Sequence, residues 1–562
     1  MAGVVAAAVA ARSWLLWSTP LVPGRNGGYY LIQARALLEH GKLGIPDLPL
    51  NFIVQAFFAK LLQLVTGRSL EASVLSSVKL CDAVLPALAA VPVFLLARRW
   101  CAQAGRGSWP AAAAAVVAAL GAPALSMVGD FEKNSLGLLW LAALIVALHL
   151  WMTQRTRARA AAVLACLGLC GLTHIGVFGA ALALTALTWT ADLALLRGRE
   201  GLKTLYHVGA VALCGALVVG TAAGIVLWKF DPARIRRLAG ALSNPVVFFQ
   251  NGGHTDNRGP GFQPPTPGAG MPDRFGPPPG DGQPPFARNG RPDFAAVGHR
   301  PPMGPGMMGP YQGFAKGLFA LVVAGALGLS WYRRRELSAA DRASVVGCSV
   351  GLLLLTGPWV SGDIAGRFQL IAMIPAAVSV AFIMAYLPGK WSAPVCATAV
   401  LALVAATSTP LLRRGGQPVI SVAAFEELGA LKTSIAHPER TLVVAPHGLE
   451  WWVAWTLHTH VAQPRAVSAS DWSTYDTVLF IKEKRHDHGA LGGMAGPPGF
   501  GGPGGSLGGP PGGPPMMGER IPEGAETVHD GTYFKLARVT QPTDTIRESG
   551  GSPPPGTEPT RN

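Results

Sequence analysis

The chain has 562 residues, of which 50% are hydrophobic and only 14% charged, with a mean hydropathy of +0.33. A soluble domain of that size has no way to hide so many long apolar runs, so the composition implies a polytopic membrane protein. The formal charge of +15 does not imply a nucleic-acid partner. The basic residues recur at alternate short loops (Arg98-Arg99, Arg155/Arg157/Arg159, Arg197/Arg199/Lys203, Arg333-Arg334-Arg335), which is how membrane topology is written.

Taken in order, the first apolar run, about 2–21, carries Arg12 and lacks a basic n-region, so it reads as an uncleaved span. The segment 23–70 reads as a long external loop holding an amphipathic helix at about 29–40 and a second, moderately apolar helix at about 50–65. That second helix is too short to cross comfortably and suits the membrane interface. Spans are expected at about 72–97, 110–128, 135–151, 160–173, 175–195, 205–228, 314–332, 343–359, 369–387 and 393–411. With the first, this makes about eleven transmembrane helices.

Two Gly/Pro-rich inserts, 251–312 and 489–517, bury little and read as flexible external segments, as does the tail 541–562. His254, His299 and the scattered Met of the first insert are better explained by low complexity than by copper binding, and His486-Asp487-His488 reads as solvated. Residues 412–540 alternate strand and helix signals: strands at 441–445, 477–481 and 532–538, and a Trp-rich helix at 449–461. They predict a small external α/β domain after a transmembrane domain of residues 1–411. The seven cysteines fall mostly inside apolar runs and read as packing residues.

Between the runs 110–128 and 135–151 stands Gly129-Asp130-Phe131-Glu132-Lys133-Asn134. Ionisable groups at such a junction must face water or a ligand. A plain helix start explains the acids too, since amide ends favour negative charge and Asn134 suits an N-cap. All the carboxylate-bearing loops fall on one side of the expected topology, opposite the arginine loops. That argues for a shared external site.

The order and spacing of these pieces resemble the GT-C membrane glycosyltransferases: oligosaccharyltransferase catalytic subunits, protein O-mannosyltransferases and aminoarabinose transferases. Gly129-Asp130-Phe131-Glu132 resembles the second acidic motif of the oligosaccharyltransferase branch. Gly28-Tyr29-Tyr30 through Ala34-Arg35-Ala36-Leu37-Leu38 resembles the first-loop pattern, and Gly366-Arg367-Phe368 resembles the late arginine that meets the lipid phosphate. The chain departs from the family at Asn26, where a carboxylate commonly precedes the Tyr-Tyr pair.

The resemblance implies transfer of a sugar from a polyprenyl-phosphate-type lipid donor to a glycan, lipid or protein acceptor on the external face; Ala richness and low Lys suggest a high-GC bacterial genome, hence a bacterial inner membrane with the active face periplasmic. Asp130, Glu132 and, in place of the missing acid, Asp47 are the implied catalytic carboxylates. Asn26, Tyr30, Arg35, Lys133, Asn134, His174 and Arg367 are implied to bind substrate. Asp130 and Glu132 would also suit Mg²⁺ or Mn²⁺, oxygen-liking ions. Asp363 is expected to pair with Arg367, and for Asn26 and Asp47 plain turn roles stay open. Two other readings stand beside the enzyme: a non-catalytic relative, supported by Asn26, and a lipid or polysaccharide transporter or flippase, which would carry its charges within the spans.

Overall fold

The computed structural model describes residues 1–195, 310–357, 360, 362–389, 391–464, 469–484, 521–522 and 524–539. The expected span 205–228, the insert 251–312 up to residue 309, His486-Asp487-His488, the insert 489–517, the tail 541–562 and the Asp363 side chain lie outside them. The chain divides into two compact units, with the boundary between Val419 and Ile420.

The first unit is all helix. It begins with α1 (Ala2–Trp17), α2 (Gly27–His40) and α3 (Leu50–Thr66). α4 (Leu70–Val84) and α5 (Ala90–Gln103) form one 34-residue apolar run. Pro86 has no N–H to continue the ladder, and the chain passes it in one tight 3₁₀ turn, Pro86–Ala89. Next come α6 (Trp109–Leu120) and the short α7 (Ala122–Ser126), separated at Gly121, whose extended ψ of 146° breaks the helix.

α8 (Glu132–Thr153) starts two residues before Asn134, with Phe131 rather than Asn134 at its cap. α9 (Arg157–Thr173), α10 (Ile175–Leu195), α11 (Pro310–Tyr332), α12 (Ala339–Thr356), α13 (Gly362–Tyr386) and α14 (Ser392–Arg414) complete the unit. Among the described residues, seven helical runs are long and apolar enough to cross a membrane. α1, α3 and residues 317–332 of α11 are shorter apolar helices. This is a multi-pass membrane protein.

Small side chains decide the packing. α6 buries Ala111, Ala113, Ala114, Ala115, Ala118 and Ala119, which lets its backbone approach its neighbours closely, the main source of contact energy between helices in lipid. At the far ends of these helices Asp341 holds three elements. It accepts from Trp100 Nε1 of α5 at 2.7 Å and from Ser338 Oγ at the start of α12 at 2.5 Å, and lies 3.7 Å from His149 Nε2 of α8.

The second unit is α/β. α15 (Val422–Ala430) precedes β1 (Thr441–Val444), α16 (Leu449–Leu457), β2 (His460–Ala462), α17 (Ala469–Thr474), β3 (Thr477–Glu483), β4 (Glu526–Asp530) and β5 (Phe534–Val539). The sheet order is β2-β1-β3-β5-β4. β1 is parallel to both β2 and β3, while β5 is antiparallel to β3 and β4. β1 is buried along its whole length, as a central strand covered on both faces should be.

The Trp-rich helix stops at Leu457, four residues earlier than the expected 461, because His458 turns left-handed (φ 58°). That reversal frees His460–Ala462 to pair with β1 as a strand too short to signal itself in sequence.

A single carboxylate fastens α15 to the β4–β5 hairpin. Glu427 accepts from the successive backbone N–H groups of Thr532 (2.9 Å), Tyr533 (2.9 Å) and Phe534 (2.9 Å), a backbone nest for an anion. Its partial burial raises the carboxyl pKa, but the N–H bonds of Tyr533, Phe534 and Thr532, with His529 nearby, outweigh that and bring it below the usual value. A depressed folded pKa means that this stabilisation is present above the unfolded value, about 4.3, and is lost as pH falls through the folded one. Glu427→Gln is therefore expected to cost the second unit about 1–3 kcal/mol at neutral pH. Thermal unfolding against pH should show the deficit shrinking in acid.

Candidate active site

The chain between α7 and α8 is a tight loop, 127–131, laid directly on the loop 22–26 that leads into α2. Both loops need glycine where they meet. Gly129 has φ +76°, and a Cβ there would run into the carbonyl oxygen of Pro23. Gly24 has φ +84°, and its Cβ would lie 2.7 Å from Asp130 Cβ. Gly24 N also donates to Gln417 O at 2.9 Å, tying in the chain beyond α14.

Beneath this contact lies a buried ion pair. Arg12 of α1, 1% exposed, donates to Asp82 Oδ1 at 2.5 Å, to the Asp82 carbonyl at 2.7 Å and to Ala124 O at 2.9 Å. The other Asp82 oxygen accepts from Gly129 N at 2.8 Å. Lys79, one turn earlier on α4, donates to the carbonyls of Thr19 (2.7 Å) and Pro20 (3.0 Å). Two cations and an anion inside the helices thus set both loops. Loop charge and apolar run length single out neither Asp82 nor Lys79, because both lie inside a run. The signal was present, since an acid and a base inside neighbouring apolar runs are best explained by pairing.

Above the pair, Asn26 and Asp130 face each other. Asn26 donates its backbone N–H to Asp130 Oδ1 at 2.9 Å and its side-chain amide to the same oxygen at 2.8 Å. Asp130 is half-buried, and among the described residues its Oδ2 accepts no hydrogen bond. Tyr30 donates to the Asp130 carbonyl at 3.2 Å. Burial first, then the charges of Glu132 and Asp130, push the Tyr30 phenol well above its usual pKa, so it remains a protonated donor.

Asp47 is 1% exposed. It accepts from Tyr29 Oη and Lys133 Nζ on one oxygen and from Leu48 N at 2.7 Å on the other. The Lys133 ammonium also lies 5.4 Å from the Tyr29 ring centroid and 5.6 Å from that of Phe52, a cation–π setting. Tyr29 thereby joins the site, although in sequence it stands out only as part of Gly28-Tyr29-Tyr30.

Glu132 does not share the surroundings of Asp130. It is 2% exposed and accepts from Gln55 Nε2 of α3, while its Oε1 has no partner among the described residues. Asn134 is buried, its amide nitrogen also without a partner among them. Arg367, exposed on the first turns of α13, holds its guanidinium 6.0 Å from the Phe131 ring centroid, which brings it to the acidic loop. His174 stands between α9 and α10, its Nδ1 accepting from Gly176 N at 3.2 Å, and so caps α10. Arg35 lies 3.8 Å from Glu39 on α2 itself.

No protein-family model matches the chain, and no curated protein matches it. Among solved structures it is similar to ArnT from Cupriavidus metallidurans in the apo state, at a TM-score of 0.49 and 12% identity over 96% of this chain and 97% of that one. ArnT bound to undecaprenyl phosphate is similar at a TM-score of 0.43, with the same 12% identity and coverage of 96% and 97%. The arabinofuranosyltransferase AftD from mycobacteria is similar at a TM-score of 0.45 and 15% identity, over 85% of this chain and 35% of that one.

Asp130 and Glu132 address different partners, Asn26 and Gln55. Among the described residues no three His, Cys, Asp or Glu side chains gather as a metal site. The two acids therefore do not fit a shared Mg²⁺ or Mn²⁺ in this arrangement.

Because Arg12 is the only cation hydrogen-bonded to Asp82 among the described residues, Arg12→Met strands a buried carboxylate and is expected to cost about 3–5 kcal/mol. Thermal unfolding in detergent would read that loss. Hydrogen exchange should show the 127–131 loop opening first.

Proposed function

We propose that this protein is an integral-membrane glycosyltransferase. It moves a sugar from a polyprenyl-phosphate-type donor to an acceptor at the membrane face that carries the 127–131 loop, which we assign to the periplasmic side of a bacterial inner membrane. The observation that carries the reading is the meeting of three distant segments on that loop and the first turn of α8. Asn26 bonds Asp130, Lys133 bonds Asp47, and Arg367 lies against Phe131. These are the stretches whose motifs resemble the GT-C transferases.

The chemistry follows from the environments. The donor's anomeric C–O bond breaks as the acceptor's oxygen or nitrogen attacks that carbon, and the polyprenyl phosphate leaves with the bonding pair. Arg367, exposed and planar, suits the phosphate oxygens, and Lys133 adds a second positive charge beside the loop. The acceptor's proton goes to Asp130 Oδ2, the oxygen that Asn26 leaves uncommitted. Asp47 acts as counter-ion, keeping Lys133 seated between the Tyr29 and Phe52 rings. Glu132, tied to Gln55, fixes the start of α8, and no step runs through a metal.

The site sets a neutral amide against Asp130, so Asn26 serves as a clamp for the base. A carboxylate there would repel Asp130, and Asn26→Asp is expected to lower turnover. Higher turnover would instead favour a decayed, non-catalytic relative.

The direct test is transfer of radiolabelled sugar from a panel of polyprenyl-phosphate donors by the purified protein in lipid. Asp130→Asn should cost at least about 100-fold in rate, as loss of a general base does. Arg367→Ala should weaken use of donor, and Asp47→Asn should act mainly by releasing Lys133. Transfer at wild-type rates by Asp130→Asn would refute the assignment.

A further inference from the structure

The second unit carries a corner whose chemistry the transfer reaction does not use. β1 and β2 are parallel, and the connection between them opens with Pro446-His447-Gly448 before α16. In parallel α/β sheets, ligands bind outside the carboxyl ends of the strands. Here Gly448, at φ +99°, makes the sharp turn from strand to helix, and Gln463 directly follows the end of β2 at Ala462.

Three side chains meet at this edge. Glu450, in the first turn of α16, is 1% exposed. Its Oε1 lies 2.7 Å from His447 Nδ1 and accepts from Gln463 Nε2 at 3.0 Å, while its Oε2 is buried with no partner among the described residues. A buried carboxylate oxygen without a donor is costly, and it leaves unmet acceptor capacity at this corner. The Trp451 ring lies edge-on to His447, centroids 6.3 Å apart, and is half-buried.

We propose that this corner is a carbohydrate-binding site, independent of the transfer centre in the first unit. Its polar atoms offer both kinds of hydrogen bond. His447 Nδ1 faces the Glu450 carboxylate at 2.7 Å and the Gln463 amide nitrogen at 3.1 Å. Gln463 gives one of its two amide hydrogens to Glu450 and keeps Oε1 as an acceptor. A ligand that both donates and accepts on neighbouring atoms fits, as vicinal sugar hydroxyls do. An anion is disfavoured because Glu450 already occupies the helix N-terminus with negative charge. A metal is disfavoured because no third acid, histidine or cysteine joins the pair among the described residues.

Saturation-transfer NMR on the full-length protein in lipid nanodiscs tests this. The probes are methyl α-mannopyranoside, methyl α-arabinofuranoside and a linear mannotriose. At least one should show saturable transfer. Glu450→Gln, which keeps shape but turns the orphan acceptor into a donor, should weaken it at least tenfold, and Gln463→Ala should weaken it as well. Asp130→Asn and Arg367→Ala should leave it unchanged, which separates this site from the transfer centre. Unchanged second-unit melting in Glu450→Gln would show that its fold survives. Three results would overturn the proposal: no saturable transfer from any probe, wild-type binding by Glu450→Gln, or saturable Zn²⁺ or ethylammonium binding at His447 and Glu450 in place of sugar.

Discussion

The Arg12–Asp82 pair is the interaction on which the rest of the membrane unit depends. Two charges buried among apolar helices are tolerable only in contact and with their remaining hydrogen-bonding capacity spent. Here that capacity is spent on the site. Arg12 reaches the carbonyls of Asp82 and Ala124, and Asp82 receives the amide of Gly129. The pair therefore joins α1, α4 and the α7–α8 loop at one point, and the loop's position follows from charge neutralisation within the bilayer-sized unit. Lys79 does the same for the turn after α1.

On that base, three carboxylates close in sequence or space acquire different surroundings. Asp130 is half-buried and has one oxygen held by Asn26. Asp47 is fully buried, with Lys133 and Tyr29 on one oxygen. Glu132 points away to Gln55. Environment divides labour among identical groups: one is half-buried beside a side-chain amide, one holds a cation, one braces a helix. The close approach of the loops is what permits this, and it exists because neither Gly24 nor Gly129 carries a Cβ.

The second unit uses carboxylates in two contrasting ways. Glu427 is saturated by three successive backbone N–H groups and closes the β4–β5 hairpin onto α15. Glu450 is buried with one oxygen unpaired at the end of the parallel strands. The first satisfies the hydrogen bonding of a turn. The second is a polar group whose partner must come from outside the side chains around it.

The sequence by itself determined the membrane class, where the helices of the described residues lie, the α/β pattern of the tail and the segments worth watching: 23–49, 129–134 and Arg367; against about eleven expected spans, seven helical runs among the described residues are long and apolar enough to cross a membrane. Those signals are local. Apolar run length, loop charge and alternation are properties of neighbouring residues, and burial simply follows them. Only the tertiary structure decided which partners those segments take. Asp82 sat in an apolar run with no motif around it, and Asn26 looked like a turn residue before two glycines. Their roles come from contacts to Arg12, Gly129 and Asp130 at separations of 47 to 104 residues, where no periodicity reaches. The same reason hid β2, three residues long and stabilised by pairing with β1 rather than by any pattern of its own. Local order is written in the chain, whereas pairing in a low-dielectric interior is settled by which charges and donors the packed helices and strands bring together.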